Sequence, residues 1–142
     1  MKTTVYSFAD VTFILSHPAV GQFTFTGEGV GSIAISRATD VTQHDIAADG
    51  TVMVSKILAK NGTIGLNIQH TSDGNRFLKR WVSYITEAPT SEWALASAVL
   101  RCPAQGETVS INGISPQKRA DVTYQSAGQQ VTWNLMAAEI EG

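Results

Sequence analysis

Short runs in which polar and apolar residues alternate constrain this chain more than any other feature of its sequence. The clearest run is Thr63–Gln69, where every second residue is isoleucine or leucine and the residues between are small or polar. Gln22–Thr26 and Ser32–Ser36 show the same period. A period of two places successive side chains on opposite faces of a β-strand. The sequence predicts about ten short strands of this kind, most with one polar face.

One segment has the period of a helix instead. Between Ser72 and Pro89, large apolar residues recur every four positions, which predicts an amphipathic helix over Asp73–Ala88. Either Ser72 or Asp73 is suited to accept the free N–H groups of the first turn. The proline that follows Ala88 cannot continue the helix. The residues expected to anchor this helix in the core are Phe77, Trp81 and Ile85.

Strands on both sides of a single helix predict one mainly β domain over residues 1–142. The expected architecture is a β-sandwich or open barrel with the helix packed on one face. Asn61-Gly62 and Asn112-Gly113 are dipeptides typical of tight hairpin turns. Asp121–Gln125 and Gln130–Leu135 are expected to form a last pair of strands.

The stretch Arg37–Gly50 interrupts the alternation with polar residues of no clear period. It is long for a connection between strands, and long loops in compact domains are usually functional. We expect a loop that contacts a neighbouring subunit. Its candidate contact residues are Asp40, Gln43, His44, Asp45 and Asp49.

Charged residues make up only 15% of the chain and the net charge is −2. Ordinary soluble domains carry roughly 25% charged residues. Low charge indicates a surface that is partly covered in an assembly, and slight acidity argues against a basic nucleic-acid-binding patch. Cys102 is the single cysteine, so the chain cannot form an internal disulfide, and we expect it to be buried.

No pattern that carries catalytic chemistry is present. His17, His44 and His70 are scattered, without the paired spacing of metal ligands. The sequence contains no GxSxG motif, and the glycine-rich run Gly27–Gly31 opens no helix that would hold a phosphate. The sequence therefore predicts no catalytic, cofactor-binding or metal site, and a protein that is not an enzyme.

Residues 1–8 lack the continuous apolar run of a signal peptide. No stretch approaches the ~18 consecutive apolar residues that a membrane-spanning helix needs. We therefore expect a soluble protein that is made in the cytoplasm and has no membrane partner.

The order of these elements resembles the tail tube proteins of contractile-tailed bacteriophages, which are related to the tube proteins of contractile bacteriocins and type VI secretion systems. The opening Thr4–Val11 is similar to the start of one small tube-protein family. The closing runs Ala120–Tyr124 and Val131–Leu135 are similar to its end.

The resemblance implies a structural virion protein. In such tubes, hexameric rings stack into a hollow conduit for DNA inside a contractile sheath, and the helix lies outside the barrel. The implied partners are further copies of the chain, the sheath, the baseplate and the tape-measure protein, with DNA passing without specific binding. The implied location is the phage tail, assembled in the cytoplasm of the bacterial host.

A barrel wall of this kind needs strands with a polar face toward the lumen. The uncharged candidates for that face are Ser32, Ser36, Thr63, Asn67 and Gln69. Two alternatives stay open at this point: a baseplate protein of the same fold that initiates the tube, and a carbohydrate-binding β-sandwich.

Overall fold

A computed structural model describes residue 3 and residues 7–26, 29–121 and 124–142. This part of the chain contains nine β-strands and one α-helix, α1, over Asp73–Glu87. The strands are β1 Thr12–His17, β2 Gly21–Phe25, β3 Val30–Arg37, β4 Thr42–Ile46, β5 Val52–Lys56, β6 Gly62–Gln69, β7 Ala96–Cys102, β8 Glu107–Pro116 and β9 Gln130–Glu141. Short 3-10 turns lie at Phe8–Asp10, Thr90–Glu92 and Pro103–Gln105. The predicted class, mainly β with a single α-helix, is confirmed.

Seven of the strands form one antiparallel sheet in the order β2-β1-β7-β8-β9-β6-β3. β2 and β3 lie at opposite edges, although only residues 26–29 join them. A flat sheet would separate these edges by about 29 Å, whereas a link from Phe25 to Val30 reaches at most about 18 Å. The sheet therefore curls into an open barrel whose edges approach each other at one end.

Helix α1 packs on the face of the sheet that forms the core. Of the two predicted N-caps, Ser72 is used: its Oγ accepts the N–H of Asn75 at 3.3 Å. Phe77, Trp81 and Ile85 are all buried, and the ring of Phe77 stacks on Phe23 of β2 with centroids 5.5 Å apart. The helix thus covers the core where edge strand β2 would otherwise leave it open.

Two predicted turns are wrong. β5 pairs with β4, whereas β6 pairs with β3 and β9, so Asn61-Gly62 joins strands of different sheets and makes no hairpin. Asn112-Gly113 lies inside β8, where the pairing register with β7 shifts. Gly113 has φ 67°, a left-handed conformation that suits a β-bulge as well as a turn.

The expected strand Asp121–Gln125 is also not observed among its described residues. Asp121, Tyr124 and Gln125 lie outside any strand, while Val122 and Thr123 fall outside the described residues. β9, by contrast, continues past the predicted end at Leu135 to Glu141. The lengthened strand pairs with both β6 and β8 and is therefore an interior strand of the sheet.

Candidate assembly surfaces

The stretch predicted as an unstructured loop contains a strand. β4 and β5 form a separate two-stranded hairpin, which we call the arm (residues 41–58). Its turn is closed by a hydrogen bond from the Ala47 N–H to the Thr51 carbonyl at 2.9 Å, and Gly50 supplies the left-handed residue with φ 88°. The absence of secondary structure over Arg37–Gly50 was therefore a wrong prediction. Its polar residues form one strand of a hairpin, and that strand lacks the usual alternation because neither of its faces is buried.

A carboxylate also shapes the turn of the arm. Asp49 Oδ1 accepts the backbone N–H of Thr51 at 3.0 Å. This bond favours the charged carboxylate, and it holds the pKa of Asp49 below its ordinary value. The tip of the arm is therefore ordered and negatively charged near neutral pH.

The arm has no hydrophobic partner within the described chain. Every residue of β4 and β5 is exposed. Isolated two-stranded hairpins are marginal in water, and clustered exposed apolar residues mark interaction sites. The large apolar side chains that the arm exposes are Val41, Ile46, Val52, Met53, Val54 and Leu58. The arm therefore has the character of a segment that is buried by another subunit.

Strand register gives the arm two different sides. Ile46 lies opposite Val52, and His44 lies opposite Val54, on one side that we call the apolar side. Gln43 and Asp45 lie on the other side, together with Met53. An arm with this asymmetry is suited to bury one side against a neighbour and keep the other nearer to solvent.

The base of the arm is fastened to the main sheet. The N–H of Ile140 donates to the carbonyl of Lys60 at 2.8 Å, and Lys60 Nζ forms an ion pair with Glu141 at 3.2 Å. Arg37 donates to the carbonyl of Gly142 at 3.3 Å. These contacts hold the base of the arm beside the end of β9.

The predicted contact residues of this region are distributed along the arm. His44 lies on the apolar side, and Gln43 and Asp45 lie on the opposite side of the arm. Asp49 is in the turn, and Asp40 precedes β4. Sequence reasoning missed the apolar residues. Val52 and Val54, for example, belong to β5 and are exposed in the described chain.

The predicted polar face is a continuous surface. Ser32 and Ser36 on β3 lie beside Asn67 and Thr63 on β6, and Gln69 follows on the same face. Asn67 Nδ2 donates to Ser32 Oγ at 3.2 Å, and Thr132 of β9 donates to Asn67 Oδ1. The hydrogen bonds tie three neighbouring strands together across this face.

The same face is uncharged over a wide area. On β3 it presents Ser32, Ala34 and Ser36, and on β6 it presents Thr63, Gly65, Asn67 and Gln69. On β9 it presents Gln130, Thr132, Asn134 and Met136. We call these residues the neutral face; they lie on the opposite side of the sheet from the buried Ile64, Leu66 and Trp133.

Nothing in the described residues forms a metal centre: no three His, Cys, Asp or Glu side chains come together there. No helix in the described ranges has the length and apolar character needed to cross a membrane. Cys102 is a buried free thiol. A curled sheet with a neutral face and an arm that lacks a core of its own defines a subunit built for assembly.

Solved structures with this fold are tube and baseplate components of contractile injection systems. A chain of the PVC sheath–tube complex in its extended state has a TM-score of 0.56 at 14% identity, covering 91% of this chain and 86% of that one. A chain of the anti-feeding prophage baseplate has a TM-score of 0.59 at 8% identity, covering 99% and 96%. A chain of the PVC sheath/tube terminator structure has a TM-score of 0.55 at 14% identity, covering 99% and 96%.

The family model of the bacteriophage PhiTE tail tube protein matches residues 3–142. The chain therefore belongs to this family of tail tube proteins and is a structural component of the phage tail. No curated protein matches its sequence significantly. The resemblance predicted from the order of the elements is confirmed.

Proposed function

We propose that this chain is the wall subunit of the tail tube, in which hexameric rings stack into a DNA conduit inside a contractile sheath. The observation that carries the proposal is the exposed arm. Its side chains Ile46, Val52 and Val54 need a partner, and a neighbouring copy in the next ring supplies one. When one surface of each copy binds a different surface of the next copy, the contact repeats along an axis without limit, as a tube requires.

The edges of the sheet suit closure into a ring. β2 and β3 each pair with one strand only in the described chain, so each leaves one row of backbone groups for a neighbour. Exposed edges of this kind invite pairing with another chain. A closed ring of copies removes them. The sixfold number follows from the family resemblance, and the similar baseplate chain comes from a 6-fold symmetrised structure.

The neutral face is proposed to line the lumen. A wall of lysine or arginine would bind phosphates, because each neutralised phosphate releases counterions. Serine, threonine and asparagine offer no such charge. Ser32, Ser36, Thr63, Asn67 and Gln69 would thus let DNA pass without retaining it. We propose no catalytic role for the chain, and assembly in the host cytoplasm.

A second role rests on the similarity to baseplate and terminator chains. A protein of this fold that forms a single ring would begin or end a tube. Tape-measure contact is proposed for either role, because both surround the same lumen. The carbohydrate-binding alternative gains no support from the family match.

Negative-stain electron microscopy of the concentrated protein tests the proposal. We expect stacked rings of the wild-type chain. A variant in which residues 42–56 are replaced by a short Gly-Ser linker should remain folded, because the arm adds nothing to the described core, and should form no tubes. Single rings of the wild type that never stack would favour the initiator role. Wild-type monomers at every concentration, or normal tubes of the armless variant, would overturn the proposal.

A further inference from the structure

Half of the basic residues of this chain lie on one surface. Arg76, Lys79 and Arg80 are on α1, and Lys118 and Arg119 follow β8. These are five of the ten lysines and arginines in the sequence. Arg119 donates a hydrogen bond to Ser83 Oγ on α1, which brings the two segments together. We call these five residues the basic surface.

The positive charge of this surface is only partly neutralised. Arg76 pairs with Asp73 at 2.6 Å, and Lys118 pairs with Asp121 at 3.1 Å. Lys79, Arg80 and Arg119 form no ion pair with any side chain in the described ranges. A chain with net charge −2 therefore carries a local surface of the opposite sign.

One of the three cations is held in place by packing. The Arg80 guanidinium lies over the Phe77 ring at 5.6 Å from its centroid, and Phe77 itself is buried. An arginine stacked on an aromatic ring loses less side-chain freedom when it binds a partner. Its planar fork matches the two oxygens of a carboxylate. The surface is thus arranged to receive carboxylates rather than merely to keep the protein soluble.

The direction of the basic surface follows from the fold. α1 packs on the core face of the sheet, so its solvent side lies across the sheet from the neutral face. If the neutral face lines the lumen, the basic surface points out of the tube.

We propose that the basic surface is the docking site for a carboxylate-rich surface of the sheath subunit that encloses the tube. This inference rests on the proposed function, which provides the outward direction. Charge complementarity selects the partner: three unneutralised cations, two on α1 and one after β8, fix register and steer association with an acidic protein surface. The small area and the two carboxylates already within it favour a protein over a nucleic acid, which needs a longer positive track.

The test compares two double variants in tails assembled in infected bacteria. Arg80→Glu with Arg119→Glu reverses the charge, and Arg80→Lys with Arg119→Lys preserves it. Electron microscopy then counts tubes and sheathed tubes. We expect the reversed variant to form tubes of normal number and length with a sheathed fraction reduced by about tenfold or more, because like charges would face each other. The charge-preserving variant should be sheathed like the wild type.

The possible outcomes separate the two proposals. Normal sheathing of the charge-reversed variant would overturn the docking site. Failure of that variant to form tubes would also overturn it, because the surface would then serve contacts between copies. Purified wild-type tubes that retain duplex DNA through Arg80 and Arg119 would assign the surface to nucleic acid instead. A wild-type chain that forms no tubes would contradict the proposed function itself, whatever the variants do.

Discussion

The indole Nε1 of Trp133, in the first half of β9, donates a buried hydrogen bond of 2.9 Å to Oδ1 of Asn75 in the first turn of α1. Asn75 is itself buried, and its Nδ2 donates to the carbonyl of His70 at 2.9 Å. One side chain thus joins the interior strand β9, the helix and the segment that links β6 to the helix. The helix is fixed by directional bonds as well as by apolar packing.

Asn75→Ala should destabilise the fold. The substitution removes the acceptor of the Trp133 N–H and leaves that group buried without a partner. An unsatisfied buried donor costs about 1–3 kcal/mol. Urea denaturation followed by tryptophan fluorescence measures the change, with exposed Glu87→Ala on the same helix as the control. A variant as stable as the wild type would show that the Asn75 bond adds nothing to stability.

The two buried tryptophans should respond differently to replacement by phenylalanine. Trp81 Nε1 has no hydrogen-bond partner among the described residues, whereas Trp133 Nε1 has Asn75. Trp133→Phe should therefore lower the free energy of unfolding by about 1 kcal/mol more than Trp81→Phe does. This difference is the usual net contribution of one hydrogen bond. Trp81→Ala should cost about 3–5 kcal/mol, as expected for a large buried aromatic side chain. Melting temperatures of the three variants in one buffer test the order, and an equal response of the two phenylalanine variants would contradict it.

The apolar side of the arm should control tube growth without affecting folding. Ile46→Ser with Val54→Ser removes apolar area that is exposed in the single chain, so the melting temperature should change little. Tube formation should be lost, because the contact that buries these side chains loses its hydrophobic contribution, which is about 25 cal/mol per Å². Met53→Ser is the matched control, since it removes an exposed apolar side chain from the opposite side. Sedimentation of assembled tubes gives the measurement; equal loss in the control would show that the arm has no preferred side.

Charge introduced on the neutral face should slow the passage of DNA. Asn67→Lys replaces a β6 side chain that hydrogen-bonds to Ser32 and Thr132 with a cation. Every copy in a ring would carry this charge. We expect tubes of normal appearance that bind duplex DNA at low salt and release it at high salt, because phosphate contacts depend on counterion release. Asn67→Ser is the uncharged control. If the lysine variant gave no change in DNA retention or infectivity, the face would not line the conduit.

The turn of the arm should loosen in acid. The pKa of Asp49 is lowered by the bond from the Thr51 N–H, so the bond stabilises the turn above the ordinary pKa of the carboxyl. That stabilisation is lost as the pH falls through the lowered pKa of the folded arm. A carboxyl titration of Asp49 by NMR should give a midpoint below 3.8, the ordinary value, with the Thr51 amide shift following it. In the Asp49→Asn variant, the chemical shift of the Thr51 amide should not follow a carboxyl titration. A midpoint at or above the ordinary value would contradict the bond.

The sequence alone determined the local elements of this protein. The period of two set the strand β6 and its polar face, since alternation reports which side of a strand meets water. Spacing of Phe77, Trp81 and Ile85 set the helix, and the proline after Ala88 set its end, because both effects act within a few residues. The resemblance to tail tube proteins followed from the order of these elements.

Only the tertiary structure decided which strands meet. Asn61-Gly62 has the chemistry of a tight turn, yet β6 finds its partners in β3 and in β9, about 70 residues further along the chain. The alternation of Val52 and Val54 has the same form as that of Ile64 and Leu66, but the first pair is exposed and the second is buried. A local pattern shows that a residue is suited to burial; the presence of a partner depends on chain packing. For the arm, the described chain holds no such partner, which is the physical reason to look for it in a neighbouring subunit.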